Sequence, residues 1–186
     1  MTPYAVGLFI HFLGMVALFV GYGLEWAASS LLRHSTTTDQ ARSWLRIYRL
    51  SLPISGPGLL ILIVSGGYLA SQRGGMKQGW ISAALLGIVF ALGIGFVFIL
   101  PRMKALRAAL PAGEAPLSHA GLVRVQDPMI VTLIRVRTVL NLGIVYLMTF
   151  KPDALSTGLF ILLGSVVIGM LCAVTAWGSR PAAEKL

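Results

Sequence analysis

The chain has 186 residues, of which 56% are hydrophobic and 11% are charged, yet its formal net charge is +9. A soluble domain carries about 25% charged residues, so this composition cannot cover a water-facing surface, and its apolar content excludes a disordered chain. The shortage of polar residues excludes a nucleic-acid-binding domain. One cysteine, Cys172, excludes an intrachain disulfide and a cysteine-based zinc site. The remaining class is an integral membrane protein in contact with the lipid bilayer.

Five stretches are long and apolar enough to cross a bilayer as helices, which takes about 20 residues each. We place them at about 4–24, 50–70, 80–100, 128–150 and 155–177. Strands of a membrane barrel would be shorter and would alternate polar with apolar residues. The sequence therefore predicts an all-α, polytopic membrane helical bundle with five transmembrane helices, forming a single transmembrane domain over residues 1–186.

The distribution of basic residues predicts the orientation of the bundle. Twelve of the fifteen Lys and Arg residues lie on the side that holds the connections 25–49 and 101–127 and the C-terminal tail. Cytoplasmic connections carry the excess of Lys and Arg. We therefore expect both connections to be cytoplasmic, with the N-terminus out and the C-terminus in, in a multi-pass protein of the bacterial inner membrane.

Local signals predict where two helices begin. Residues 34–39 form a polar turn with several N-cap residue types, and Asp127-Pro128 combines an N-cap with proline at the first helical position. After the first turn, Arg42, Arg46 and Arg49 interleave with apolar residues. This pattern predicts a short basic amphipathic helix on the cytoplasmic face, attracted by anionic lipid. A helix that docks a partner is the alternative.

One face of the first span combines small residues with two ionisable ones. The spacing 4-3-4-3-4 places six residues on this face: Gly7, His11, Gly14, Leu18, Gly21 and Glu25. Small residues allow a neighbouring helix to approach closely. We therefore expect this face to point into the bundle, and glycine-rich helix faces of this kind to pack against a second copy or another membrane protein.

His11 is the ionisable residue placed deepest in the first span. A neutral imidazole can bind haem iron or copper or pass a proton, and Met148, at a similar depth in the fourth span, is a candidate second ligand. The alternative is a buried histidine that is hydrogen bonded to another helix. The cofactor stays open between none, haem b and copper, and any metal would be at His11.

Arg137 is placed about 10 Å inside the fourth span and shares a helical face with Asn141 and Met148. An arginine at that depth requires an anionic partner, and Glu25 ends the first span at the same side. A structural ion pair between Glu25 and Arg137 is one interpretation. A pocket in which Arg137 and Asn141 bind an anionic group, such as a haem propionate or lipid phosphate, is the second, and extension of Arg137 towards the interface is the third. We expect Arg135, nearer the boundary, to extend to the interface.

The beginning of the second span contains Pro53 and Pro57 among glycines. Broken helices often form transporter sites, and in inverted repeats the break recurs in the other half. The fourth and fifth spans contain no matching break, which favours close packing with one kink. A functional break at this position remains open.

Three segments carry a resemblance to known proteins: His11 to Gly23, Asp127-Pro128, and the end of the fourth span, Gly143 to Asp153 (GIVYLMTFKPD). With them the chain resembles a poorly characterised family of small bacterial integral membrane proteins. That family is distantly similar to copper-resistance protein D-like membrane domains and to the haem-binding type of protoporphyrinogen oxidase, which also have a histidine in the first helix. The resemblance implies a helical bundle with haem or a metal at His11.

The motifs of soluble enzymes are missing from the sequence. It has no GxSxG, Walker-type loop or HExxH pattern, and no carboxylate pair within a span. We therefore expect a non-enzymatic membrane component or permease-like subunit, with a haem- or copper-binding redox protein that uses His11 as the alternative.

Overall fold

The structure is a computed structural model that describes residues 2–72, 77–110, 113 and 115–177. Its helices, in chain order, are α1 (Pro3–Leu32), α2 (Thr38–Ser71), α3 (Gly79–Gly93), α4 (Leu100–Ala109), α5 (His119–Val125), α6 (Pro128–Phe150) and α7 (Leu155–Trp177), and a π-helical segment (Ile94–Ile99) joins α3 to α4. Five helical stretches of these residues are long and apolar enough to cross a membrane. The predicted five-helix, all-α membrane bundle is confirmed over this part of the chain.

The helices extend well beyond the apolar spans. α1 continues to Leu32 and α2 begins at Thr38, so the connection expected at 25–49 shortens to residues 33–37. The basic segment is not a separate helix but the first turns of α2, which runs through Pro53 and Pro57. Hydropathy marks where a helix enters the hydrocarbon layer, whereas the backbone hydrogen bonds of a helix continue equally well in water. The spans predicted from hydropathy are therefore shorter than the helices.

The two predicted helix starts are confirmed. The Thr37 hydroxyl caps α2 by accepting from the Gln40 backbone N–H at 3.4 Å. Asp127 Oδ1 caps α6 by accepting from the Met129 N–H at 2.9 Å, and Pro128 is the first residue of α6. Each cap satisfies a backbone donor that the first helical turn leaves without an intrahelical acceptor.

α1 and α2 pack closely on each other as a hairpin, and a glycine pair makes this approach close. A methyl group at Gly58 would lie 2.8 Å from the Leu18 backbone nitrogen and 2.9 Å from the Gly14 carbonyl oxygen. Gly7, Gly14, Leu18, Gly21 and Glu25 are all buried. The predicted inward face of α1 is therefore confirmed at these five positions.

The buried apolar residues form two clusters. The first cluster joins α1 and α2 to the π-helical segment, α4 and α6, with Leu32, Leu45, Ile99, Leu106 and Ile134 among its members. The second cluster contains residues of α3, α6 and α7. Since α1 and α2 contribute to the first cluster alone, the hairpin packs on the other helices mainly through the end that carries the basic connections.

Three hydrogen bonds join the two connections at the end of the bundle that carries the basic residues. The Thr38 N–H and hydroxyl both donate to the Ala115 carbonyl, at 3.0 and 2.7 Å, and the Leu117 N–H donates to the Thr36 carbonyl at 3.1 Å. These bonds join the short α1–α2 turn to the segment before α5. The two basic connections are thus held together as one surface.

Candidate functional site

A buried ion pair joins α1 to α6. Arg137 Nη2 donates to Glu25 Oε2, and both residues are buried. A lone charge inside a membrane protein is expensive, so intramembrane ionisable groups pair with one another. The structure therefore brings together the two residues expected to pair, and the anion beside the Arg137 guanidinium is the Glu25 carboxylate.

Each charge has a second neighbour. Glu25 Oε1 lies 2.9 Å from the hydroxyl of Ser51 on α2, which also lies 2.7 Å from the Tyr48 carbonyl. A serine has one hydroxyl hydrogen and donates to one of these acceptors at a time. The guanidinium carbon of Arg137 lies 4.7 Å from the ring centroid of Tyr22, a cation–π arrangement. Side chains of α1, α2 and α6 therefore converge on one polar centre.

Asn141 and Gly95 complete the surroundings of Arg137. Asn141 Nδ2 donates to the Arg137 carbonyl one turn earlier, at 2.8 Å, and the Asn141 side chain faces the Tyr22 hydroxyl. Gly95 lies in the π-helical segment, and a methyl group there would lie 2.9 Å from Arg137 Nη1. The π-helical turn, an element frequent at functional sites, therefore leaves space for the guanidinium beside the backbone.

Arg135 contacts two neighbouring helices, and its extension to the membrane interface stays a prediction. Its Nη1 donates to the Cys172 carbonyl of α7, and its guanidinium carbon lies 4.9 Å from the Trp26 ring centroid. Both partners belong to other helices, so the position of Arg135 along α6 could not indicate them. Arg135 joins α1, α6 and α7 beside the ion pair.

His11 lies against α2. Its Nδ1 is 3.0 Å from Ser65 Oγ, and the Ser65 hydroxyl in turn contacts the Ile61 carbonyl. Both contacts are satisfied when Ser65 donates to Ile61 and the imidazole donates from Nδ1, which leaves Nε2 with the free lone pair. A methyl group at Gly66 would lie 3.1 Å from His11 Cε1. The Nδ1–Cε1 edge of the ring therefore faces α2.

Met148 and His11 have different neighbours. Met148 is partly buried and packs on the second cluster of α3, α6 and α7, whereas His11 contacts α2. In the described residues no group of three or more His, Cys, Asp or Glu side chains is arranged to hold a metal ion. If the haem or metal that the resemblance implies is bound, Nε2 of His11 would be one ligand, and Met148 as the second ligand stays a prediction.

The sequence patterns do not single out four residues of these sites: Tyr22, Ser51, Ser65 and Gly95. The two serines carry a signal that could have identified them. Ser51, Ser55, Gly58 and Ser65 recur at spacings of 4, 3 and 7, which place them on one face of α2, and all four are buried. Tyr22 and Gly95 carry no comparable signal, because their role depends on which helix lies opposite.

Comparison with protein-family models, with curated proteins and with solved structures finds no match for this chain. The resemblance at His11, at Asp127-Pro128 and at the end of the fourth span therefore stays a prediction.

Proposed function

We propose that the protein is a non-enzymatic component of the bacterial inner membrane, a permease-like subunit that packs through the α1–α2 hairpin against another membrane protein or a second copy. The observation that supports this is the exposure of the N-terminal half of α1, where Phe9 and Phe12 are 60% and 55% exposed. Exposed apolar residues continue around this half of the helix: Val6, Leu8, Ile10, Leu13 and Val16. A helix with one packed face and apolar residues on the others is suited to receive a further helix.

The polar groups inside the bundle support the same assignment. Glu25, Ser51, Arg137 and Asn141 are engaged with one another or with backbone carbonyls. Groups paired in this way hold helices together, which is a structural role. The small residues on the buried face of α1 are already used by α2, so the proposed contact uses the opposite, apolar side.

Site-specific photocrosslinking in native membranes tests this assignment. A benzophenone side chain at Phe9 or Phe12 should give a discrete crosslinked product. The same group at Phe160 of α7, which is 73% exposed, is the control and should give none. Equal products at the three positions, or no product at Phe9 and Phe12, would contradict the proposal. The mass of the product separates a second copy from a different protein.

A haem- or copper-binding redox protein is the second candidate. The hydrogen bond between His11 Nδ1 and Ser65 supports it, because metal-binding histidines donate from the nitrogen that does not hold the metal. An absorption spectrum and metal analysis of detergent-purified protein test it. A Soret or copper signal lost in His11→Ala and kept in His34→Ala would establish the site, and a colourless, metal-free preparation would exclude it.

A further inference from the structure

Four arginines line one cleft between α2 and α4. The cleft has a volume of about 220 Å³ and is lined by Arg42, Leu45, Arg46, Arg49 and Arg107. The four residues from α2 are spaced i, i+3, i+4 and i+7, so they share one helical face. Arg107 comes from the opposite wall. A water molecule occupies about 30 Å³ in the liquid, so the cleft has room for a group of several atoms.

A hydrogen bond joins the two helices that form the cleft. Arg42 Nη2 donates to the Leu110 carbonyl at 2.9 Å, which ties α2 to the end of α4. Leu45 and Leu110 are both buried in the first apolar cluster. The arginines of the cleft therefore lie above apolar residues that pack α2 against the end of α4.

The positive charge of the cleft has no carboxylate counterpart in the described part of the chain. The ion pairs there join Glu25 to Arg137 and Asp127 to Arg102, and neither includes an arginine of the cleft. Four guanidinium groups in one cleft repel each other unless an anion lies between them. Guanidinium groups bind phosphate through paired N–H donors, so phosphate is the chemistry that this arrangement fits.

The position of the cleft along α2 indicates where the phosphate comes from. Leu50 and Leu52 directly follow Arg49 and are 56% and 62% exposed. Leu50 lies one turn after Arg46, and Leu52 lies one turn after Arg49, so the two leucines lie at opposite edges of the helical face that carries these arginines. A phosphate in the cleft would therefore have an apolar surface directly beside it, along which an acyl chain can lie.

We propose that this cleft binds the phosphate groups of an anionic phospholipid, with a preference for a headgroup that carries two phosphates. Basic pockets between helices at a membrane surface recognise such headgroups. Two phosphates neutralise more of the four positive charges than one does, and Leu50 and Leu52 receive an acyl chain. Free phosphate shares the anionic chemistry but does not use the leucines.

Binding of cardiolipin to the detergent-purified full chain, followed by native mass spectrometry, tests this site. Phosphatidylcholine and inorganic phosphate are the comparison ligands. We expect cardiolipin to bind more tightly than phosphatidylcholine and to resist displacement by millimolar phosphate. If inorganic phosphate binds alone and displaces the lipid, the ligand is free phosphate and the lipid assignment is wrong.

Variants on both walls localise the binding. A basic residue that contacts the lipid phosphate contributes roughly a fivefold change in affinity, so Arg46→Gln and Arg107→Gln should each weaken cardiolipin binding about fivefold and together about 25-fold. Arg124→Gln removes an equal charge from an exposed residue of α5 that does not line the cleft. It is the matched control, with an expected change below about twofold, because salt screens charges that do not contact the lipid. Equal weakening by Arg124→Gln, or none by Arg107→Gln, would show that general surface charge, and not the cleft, binds the lipid. Should a glutamine variant fail to fold, the lysine variant keeps the charge without the bidentate donor pair and should weaken binding less.

Discussion

Arg137 and Glu25 are separated by 112 residues in the sequence, yet they form a buried ion pair that joins α6 to α1. The pair lies where the α1–α2 hairpin meets the rest of the bundle. Removing one partner leaves the other charge buried and unpaired, which costs about 3–5 kcal/mol. The intact pair contributes far less than this to stability. The contact therefore acts mainly by making other arrangements of the hairpin unfavourable.

A double-mutant cycle measures this coupling. Glu25→Gln and Arg137→Gln should each lower the free energy of unfolding in mixed detergent micelles by about 3 kcal/mol, because each leaves a buried charge. The double variant should lose clearly less than the sum. Arg102 and Asp127, 3.9 Å apart and partly exposed, form the matched control pair, for which changes of at most about 1 kcal/mol are expected. Additive losses at Glu25 and Arg137 would show that the two side chains do not interact.

Two glycines of α2 should respond in opposite ways to alanine. Gly58→Ala places a methyl group against the α1 backbone and should lower the free energy of unfolding by about 1–3 kcal/mol. A methyl group at Gly56 meets no atom within 4 Å, so Gly56→Ala should leave stability equal or slightly higher, because alanine favours helix. Unfolding midpoints in detergent give the comparison. Equal responses at both positions would exclude the close approach of α1 to α2.

The π-helical segment gives a third prediction. Gly95→Ala should destabilise the protein by about 1 kcal/mol, because its methyl group displaces an Arg137 guanidinium fixed by Glu25. In an Arg137→Gln background the same substitution should have almost no effect. Gly93→Ala, whose methyl group has open space, is the matched control. A loss of equal size in both backgrounds would mean that Gly95 acts through the backbone and not through Arg137.

The orientation can be measured with cysteine labelling in a Cys172→Ser background. Twelve of fifteen basic residues are expected on the cytoplasmic side, so a cysteine at Gln78 should react with an impermeant maleimide added to intact cells. A cysteine at Ser43, which is exposed at the other end of the bundle, should react after permeabilisation. The reverse pattern would place the N-terminus in the cytoplasm.

The features that the sequence predicts correctly are those that local chemistry determines. The five apolar spans, the capping turn before Thr38 and the Asp127-Pro128 start each depend on neighbouring residues along the chain. The ion pair could also be predicted, because Glu25 lies on the small-residue face of α1 and at the same depth as Arg137. A charged residue in a span also requires a partner of opposite charge, and only a few residues can be that partner.

Contacts between helices cannot be predicted from neighbouring residues along the chain. Ser51, Tyr22 and Trp26 become partners of charged groups because of how α1, α2 and α6 are rotated about their axes, and many rotations fit the same hydropathy pattern. The lengths of α1 and α2 were underestimated for a related reason, since polar residues such as Arg46 continue a helix without marking its end. The π-helical turn at Gly95 has no pattern of its own in the sequence.

The hydrogen bonds between Thr38 and Ala115 and the ion pair at Glu25 both lie at one end of the hairpin, so a tilt of the α1–α2 hairpin would have its pivot at that end. From Glu25 back to Pro3 the helix is about 33 Å long, and a tilt of 5° about the pivot moves its tip by roughly 3 Å. A small displacement at the charged residues would thereby be larger at the far end of the hairpin. Residues near Gly7 should therefore report most sensitively on events at the opposite face.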